Sequence, residues 1–148
     1  MSLFFVGNKL CQKRRETKSR QNSLNCHIGE ANFKKPLILY ETTGRKAQAW
    51  QKGLLKHIMA YNSGSLWVHT KFGYSVSRRN GKNEVIAIRE MWGIVSGEQI
   101  LHTAHRTTTS HTAWERLCML LDNAGIQYDS LKASGRENIT LPDTGGRT

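Results

Sequence analysis

The stretch that most constrains this chain runs from Trp67 to Val95, where a strand-like run gives way to a tight basic loop and then to a helical pattern. Phe72, Tyr74 and Val76 alternate with the small residues Gly73, Ser75 and Ser77, the period-two signature of a strand. Beyond the loop Val85, Ile88, Trp92 and Val95 recur at helical spacing, and Gly97 ends the pattern. Between the two lies Ser77-Arg78-Arg79-Asn80-Gly81-Lys82-Asn83. Such a junction can cradle phosphate. A glycine lets backbone N–H groups turn inward, the helix offers its positive N-terminal end, and a lysine reaches the terminal phosphates. Gly81 and Lys82 stand where that chemistry needs them. In the usual pattern, G-x-x-x-x-G-K-[ST], Val76 takes the place of the first glycine. Asn83 takes that of the Ser/Thr whose hydroxyl binds magnesium. By spacing alone the loop equally fits an ordinary basic turn.

The flanking sequence supplies further elements. An apolar run, Leu37 to Tyr40, ends at Glu41-Thr42-Thr43-Gly44. A helix is expected from about Arg45 to Tyr61, with Ala47, Trp50, Leu54, Ile58 and Tyr61 on one stripe, stopped by Asn62-Ser63-Gly64-Ser65. Gln99 to Ala104 is a second strand, and the polar loop His105 to His111 leads to a helix opened by a capping box, Thr112-Ala113-Trp114-Glu115. Trp114, Leu117, Cys118 and Leu121 form its apolar stripe, and Gly125 takes its C′ position. A weaker strand spans Glu137 to Leu141. The order strand, helix, strand, helix, strand predicts an α/β domain with a mainly parallel sheet and flanking helices.

Charge separates the first 35 residues from the rest. Lys9, Lys13, Arg14, Arg15, Lys18, Arg20, Lys34 and Lys35 face two acids, Glu16 and Glu30. No periodicity persists there, so residues 1–35 read as a disordered basic arm and residues 36–148 as the folded part. The whole chain carries a net charge of +11 over 148 residues, which favours a polyanionic partner, above all nucleic acid. Its three scattered cysteines, Cys11, Cys26 and Cys118, show no metal-site or disulfide spacing, which leaves a reducing cytosol as the expected compartment. No apolar run approaches the roughly 18 residues of a membrane span.

The loop and its neighbours resemble a known family, the large subunit of tailed-phage terminases, the DNA-packaging motor. Its members carry a deviant phosphate loop of the form S/P-R-[RK]-x-G-K-[STN], and Ser77 to Asn83 looks like it. Upstream, Gly44-Arg45-Lys46-Ala47-Gln48-Ala49-Trp50-Gln51 is similar to the W-Q segment that precedes that loop. Downstream, Gln99 to Arg106 followed by Ser110 to Trp114 looks like the family's second strand, polar loop and helix. The resemblance covers roughly Leu37 onward.

The resemblance implies a P-loop NTPase fold of the additional-strand class, with ATP and Mg²⁺ as cofactors. Lys82 would contact the β- and γ-phosphates, and Arg79, Asn80, Gly81, Lys82 and Asn83 would cradle them. Arg78 matches an arginine acting in cis on the γ-phosphate, a charge that stabilises the transition state. Gln51 would sit near the adenine, with Gln48 the second candidate, and Asn83 is the position for magnesium. His105, Arg106 and Thr107 to Ser110 would lie beside the mouth of the sheet. The implied partners are double-stranded DNA and, in the full-length protein, a homo-oligomeric ring, the small terminase subunit and the portal. The setting would be a host cell's cytoplasm, with no membrane. The family's Asp-Glu strand and nuclease domain have no counterpart here, so the chain is expected to hold the binding half of an ATPase site. Cys118 to Asp122 mimics that strand but fits a helical stripe. Whether the chain is an enzyme by itself stays open. Two other readings stand beside this one: another P-loop DNA translocase or helicase-like ATPase, and a non-enzymatic basic DNA-binding module.

Overall fold

A computed structural model describes residues 5–6, 30–62, 66–77, 79–133 and 136–148. In chain order the elements are β1 (Phe5–Val6), α1 (Glu30–Thr42), α2 (Ala49–Ile58), α3 (Lys82–Val95), β2 (Ile100–Leu101), α4 (Thr107–Asn123), β3 (Asp129–Leu131) and β4 (Asn138–Thr140).

Helix α3 is the centre of the molecule and packs against α1, α2, α4 and β2. The expected stripe implied one apolar face. Instead Val85, Ala87, Ile88, Arg89, Glu90, Met91, Gly93 and Ile94 are all buried, and Trp92 is only partly so. A helix enclosed by three others has no solvent face along its middle, so its charged residues go inside with it. Two buried charged residues, Arg89 and Glu90, are the consequence, and each has a partner.

Both helix stops expected from glycine are present and have the same construction. After α3, Gly97 adopts φ +80°, its N–H donates to the Ile94 carbonyl, and the Glu98 N–H donates to that of Gly93. After α4, Gly125 at φ +68° donates to Asp122 and Ile126 to Leu121. This paired closure satisfies the last carbonyls of a helix and needs a residue that enters the left-handed region without strain.

Other elements depart from expectation. The apolar run Leu37–Tyr40 lies in helix α1, which contains a fully buried Pro36. Proline removes one helical N–H donor, so tertiary burial, not local propensity, holds this helix. Helix α1 also crosses the boundary placed at residue 35, and Phe5–Val6 pair antiparallel with Ile100–Leu101. The rest of the proposed basic arm, residues 1–4 and 7–29, lies outside the described residues. Helix α2 is shorter than expected, and its buried line is Gln51, Leu55 and Met59, one residue round from the predicted stripe. Helix α4 starts at Thr107, so Thr112 is no cap. Its hydroxyl instead donates to the Thr108 carbonyl at 2.9 Å, one turn back.

The mainly parallel sheet is not what the described residues form. Residues 72–77 make no strand, although Phe72, Tyr74 and Val76 are half-buried and Gly73, Ser75 and Ser77 exposed, as their alternation requires. Alternation reports two environments; a strand also needs a neighbour to complete its ladder. The expected strand Gln99–Ala104 contracts to two residues. Both named strand pairs are antiparallel, and the parallel contact among these residues is the isolated Gln99–Arg147 bridge. Residues 146–148 tie the two pairs together: Ile100 donates to Arg147 at 2.8 Å, and Ile139 and Thr148 exchange bonds of 3.1 and 3.0 Å.

Candidate functional site

The basic loop enters α3 through a left-handed turn. Gly81 is the N-cap, at φ +70° and ψ 28°. Two residues earlier Arg79 also has positive φ, 65°, a conformation that costs a non-glycine residue roughly 1–2 kcal/mol. Arg79, Asn80 and Asn83 are exposed and Lys82 is half-buried. Arg78, matched to the cis arginine, lies outside the described residues.

The turn is braced from three directions. The Glu84 N–H donates to the Gly81 carbonyl at 3.1 Å, closing the first turn. Nε2 of Gln51 donates to the same carbonyl at 3.0 Å. The Tyr74 hydroxyl donates to the Lys82 carbonyl at 2.9 Å. Burial, and secondarily Glu90, pushes the Tyr74 phenol up to about 12, so it stays a donor at any physiological pH.

One turn into α3, Glu84 gathers the surrounding charge. It accepts from the Tyr40 hydroxyl at 2.5 Å, lies 3.4 Å from Arg45 and pairs with Arg116 of α4. A carboxylate in the first turn suits the positive end of the helix. Burial, and then the like charge of Arg45, lower the pKa of Arg116. Two basic side chains, Arg45 and Arg116, thus stand around one acid at this helix start.

A cleft of about 260 Å³ opens between α3 and α4. Asn83, Thr108, Thr109, Thr112 and Arg116 line it, and at its floor stand Glu90 and His102, 2.6 Å apart. Burial raises the pKa of Glu90, against the pull of His102; the bond to Glu90 raises that of His102, against burial.

The site residues expected from sequence separate accordingly. Gly81 and Lys82 sit at the helix start as anticipated, and Asn83 opens onto the cleft. Gln51 is buried rather than free beside a base, and Gln48 is exposed, its side-chain oxygen accepting from the Trp50 indole at 2.6 Å. Thr107–Ser110 belong to the first turn of α4 rather than to a loop. Glu84, Tyr40 and Arg116 escaped notice because their meeting depends on helices distant in sequence. A phosphate group fits this helix start, where a left-handed glycine precedes Lys82. Glu84 is committed to Arg45 and Arg116, and the described residues hold no group of three or more His, Cys, Asp or Glu able to take a metal ion. No helix among them is long and apolar enough to cross a membrane. Compared with known protein families, curated proteins and solved structures, the chain finds no match.

Proposed function

We propose that the chain binds the phosphates of a nucleotide at Arg79–Asn83 and is the ATP-binding part of a DNA-packaging ATPase like the terminase large subunits. The observation that carries this reading is the left-handed Gly81 at the N-cap of a 14-residue helix whose first residue is Lys82. There the backbone N–H groups that begin a helix and a lysine ammonium act on the same anion. The chain's own contribution is to bind and orient phosphate. Hydrolysis needs a carboxylate to position water, and Glu84 is already neutralised by its arginines. Slow or absent turnover is therefore expected, with double-stranded DNA, the portal, the small subunit and a ring of copies as partners of the full motor. The test compares nucleotide affinity in the natural chain and in Lys82→Ala. A loss of at least tenfold supports the assignment, and equal affinity removes it.

The net charge of +11 favours a second reading, a basic DNA-binding module without nucleotide chemistry. Under that reading DNA binding falls steeply with salt and is indifferent both to ATP and to Lys82→Ala.

A further inference from the structure

We infer that Gln51 is a positioning residue of the phosphate loop, holding Gly81 in its left-handed turn, and does not recognise the nucleotide base. The inference rests on the phosphate-binding reading of residues 79–83. It departs from what the resemblance implies for this glutamine.

Gln51 is 3% exposed, on the buried line of α2. Both ends of its carboxamide bond to backbone. Oε1 accepts from the Gln48 N–H at 2.7 Å, and Nε2 donates to the Gly81 carbonyl at 3.0 Å across 30 residues of sequence. A backbone N–H can only donate and a carbonyl can only accept, so the two partners fix which way the amide points. A base-reading glutamine must instead offer its donor and acceptor to the ligand.

The effect on the loop is specific. The Gly81 carbonyl accepts from Gln51 and from the Glu84 N–H together, which fixes the peptide plane at the entrance to α3. The N–H groups that follow then present a fixed direction to an anion. A Cβ on Gly81 would stand 3.1 Å from Nε2 of Gln51, so the strut and the glycine fit each other. Gln51 thereby joins the start of α2 to the start of α3. The affinity it supports is for phosphate and is the same whatever base is attached.

Inorganic tripolyphosphate, which has no base, separates the two roles. Affinities for ATP and for tripolyphosphate are measured in the natural chain, Gln51→Asn, Gln51→Met and Lys82→Ala. Asparagine is one methylene short of Gly81; methionine keeps the bulk without the bonds. Both Gln51 variants are expected to weaken ATP and tripolyphosphate by the same factor, about tenfold for one lost positioning bond. Weaker ATP binding with tripolyphosphate unchanged overturns the inference, because that pattern marks a base reader. Lys82→Ala reports separately on the parent reading: unaltered affinity there removes the phosphate site whatever Gln51 does. Amide hydrogen exchange provides a readout without ligand. The Glu84 N–H is expected to exchange at least tenfold faster in both Gln51 variants while the Leu120 and Leu121 amides of α4 keep their rates. Unchanged exchange at Glu84 overturns the strut.

Discussion

Glu90 and His102 share a hydrogen bond of 2.6 Å between the middle of α3 and the residue after β2, and Glu90 is buried. An ionised carboxylate inside a protein is costly unless a charge or donor meets it. His102 Nδ1 is that donor, and Arg89 adds a more distant positive charge. The pair therefore holds a proton more readily folded than unfolded.

That arrangement fixes a pH dependence. The bond to Glu90 raises the folded pKa of His102 above 6.5. Its contribution is complete below pH 6.5 and is lost as pH rises through the folded value. Burial raises Glu90 above 4.5, so proton uptake there also favours the folded state as pH falls toward 4.5. Urea unfolding of the natural chain and of His102→Gln between pH 6 and 8 checks this. The natural chain should lose its stability advantage as pH rises; a gap independent of pH would dismiss the pair as its source.

The buried Arg89 pairs with the half-buried Glu98 at 2.8 Å, with the guanidinium 4.7 Å from the centre of the Trp67 ring. The buried Nη1 of Arg89 has no hydrogen-bond partner among the described residues, and the guanidinium as a whole gains from the π face of Trp67. Arg89→Met leaves Glu98 uncompensated and should destabilise the fold by about 3 kcal/mol. The double variant Arg89→Met/Glu98→Leu should recover most of that loss. Equal destabilisation in single and double variants would mean that packing, not charge, explains it.

The C-terminal turn clamps the last turn of α3. The Thr144 hydroxyl donates to the Ile94 carbonyl at 3.0 Å, and a Cβ on Gly146 would overlap that same carbonyl. Because the obstacle is helix backbone, it cannot rotate aside. Gly146→Ala should cost roughly 2–3 kcal/mol, seen as a lower urea midpoint with an unchanged slope. A midpoint within error of the natural chain would show that the turn is not seated on α3.

What could be read from the sequence was what depends on near neighbours. Gly97 and Gly125 announced two helix ends because the closing turn demands a left-handed residue. The stripes in α3 and α4 announced the helices. What escaped depends on distant contacts. Alternation at Phe72, Tyr74 and Val76 shows sidedness without a ladder partner. Pro36 looks like a helix breaker until its burial in the core is known. Gln51 lies on the core line of α2, where a polar residue is tolerated because backbone groups satisfy it, and no periodicity count credits a glutamine as core. The loop was legible as Gly81-Lys82 before a helix; its bracing by Gln51, Tyr74 and the Glu84 cluster was not.

Tyr74 gives the loop a test that needs no ligand. Its hydroxyl donates to the Lys82 carbonyl at 2.9 Å, and burial pushes its pKa up to about 12. An unfolded tyrosine ionises near 10, so above that pH the folded state is the one that retains the proton. Stability should then fall as pH rises from 10 toward 12. Tyr74→Phe removes both the bond and the titration. It should cost about 1 kcal/mol at pH 7 and flatten the alkaline decline. Ultraviolet difference titration of the natural chain against Tyr74→Phe should show one phenol ionising late. If that phenol titrates near 10, the hydroxyl is open to solvent and Tyr74 does not brace the entrance to α3.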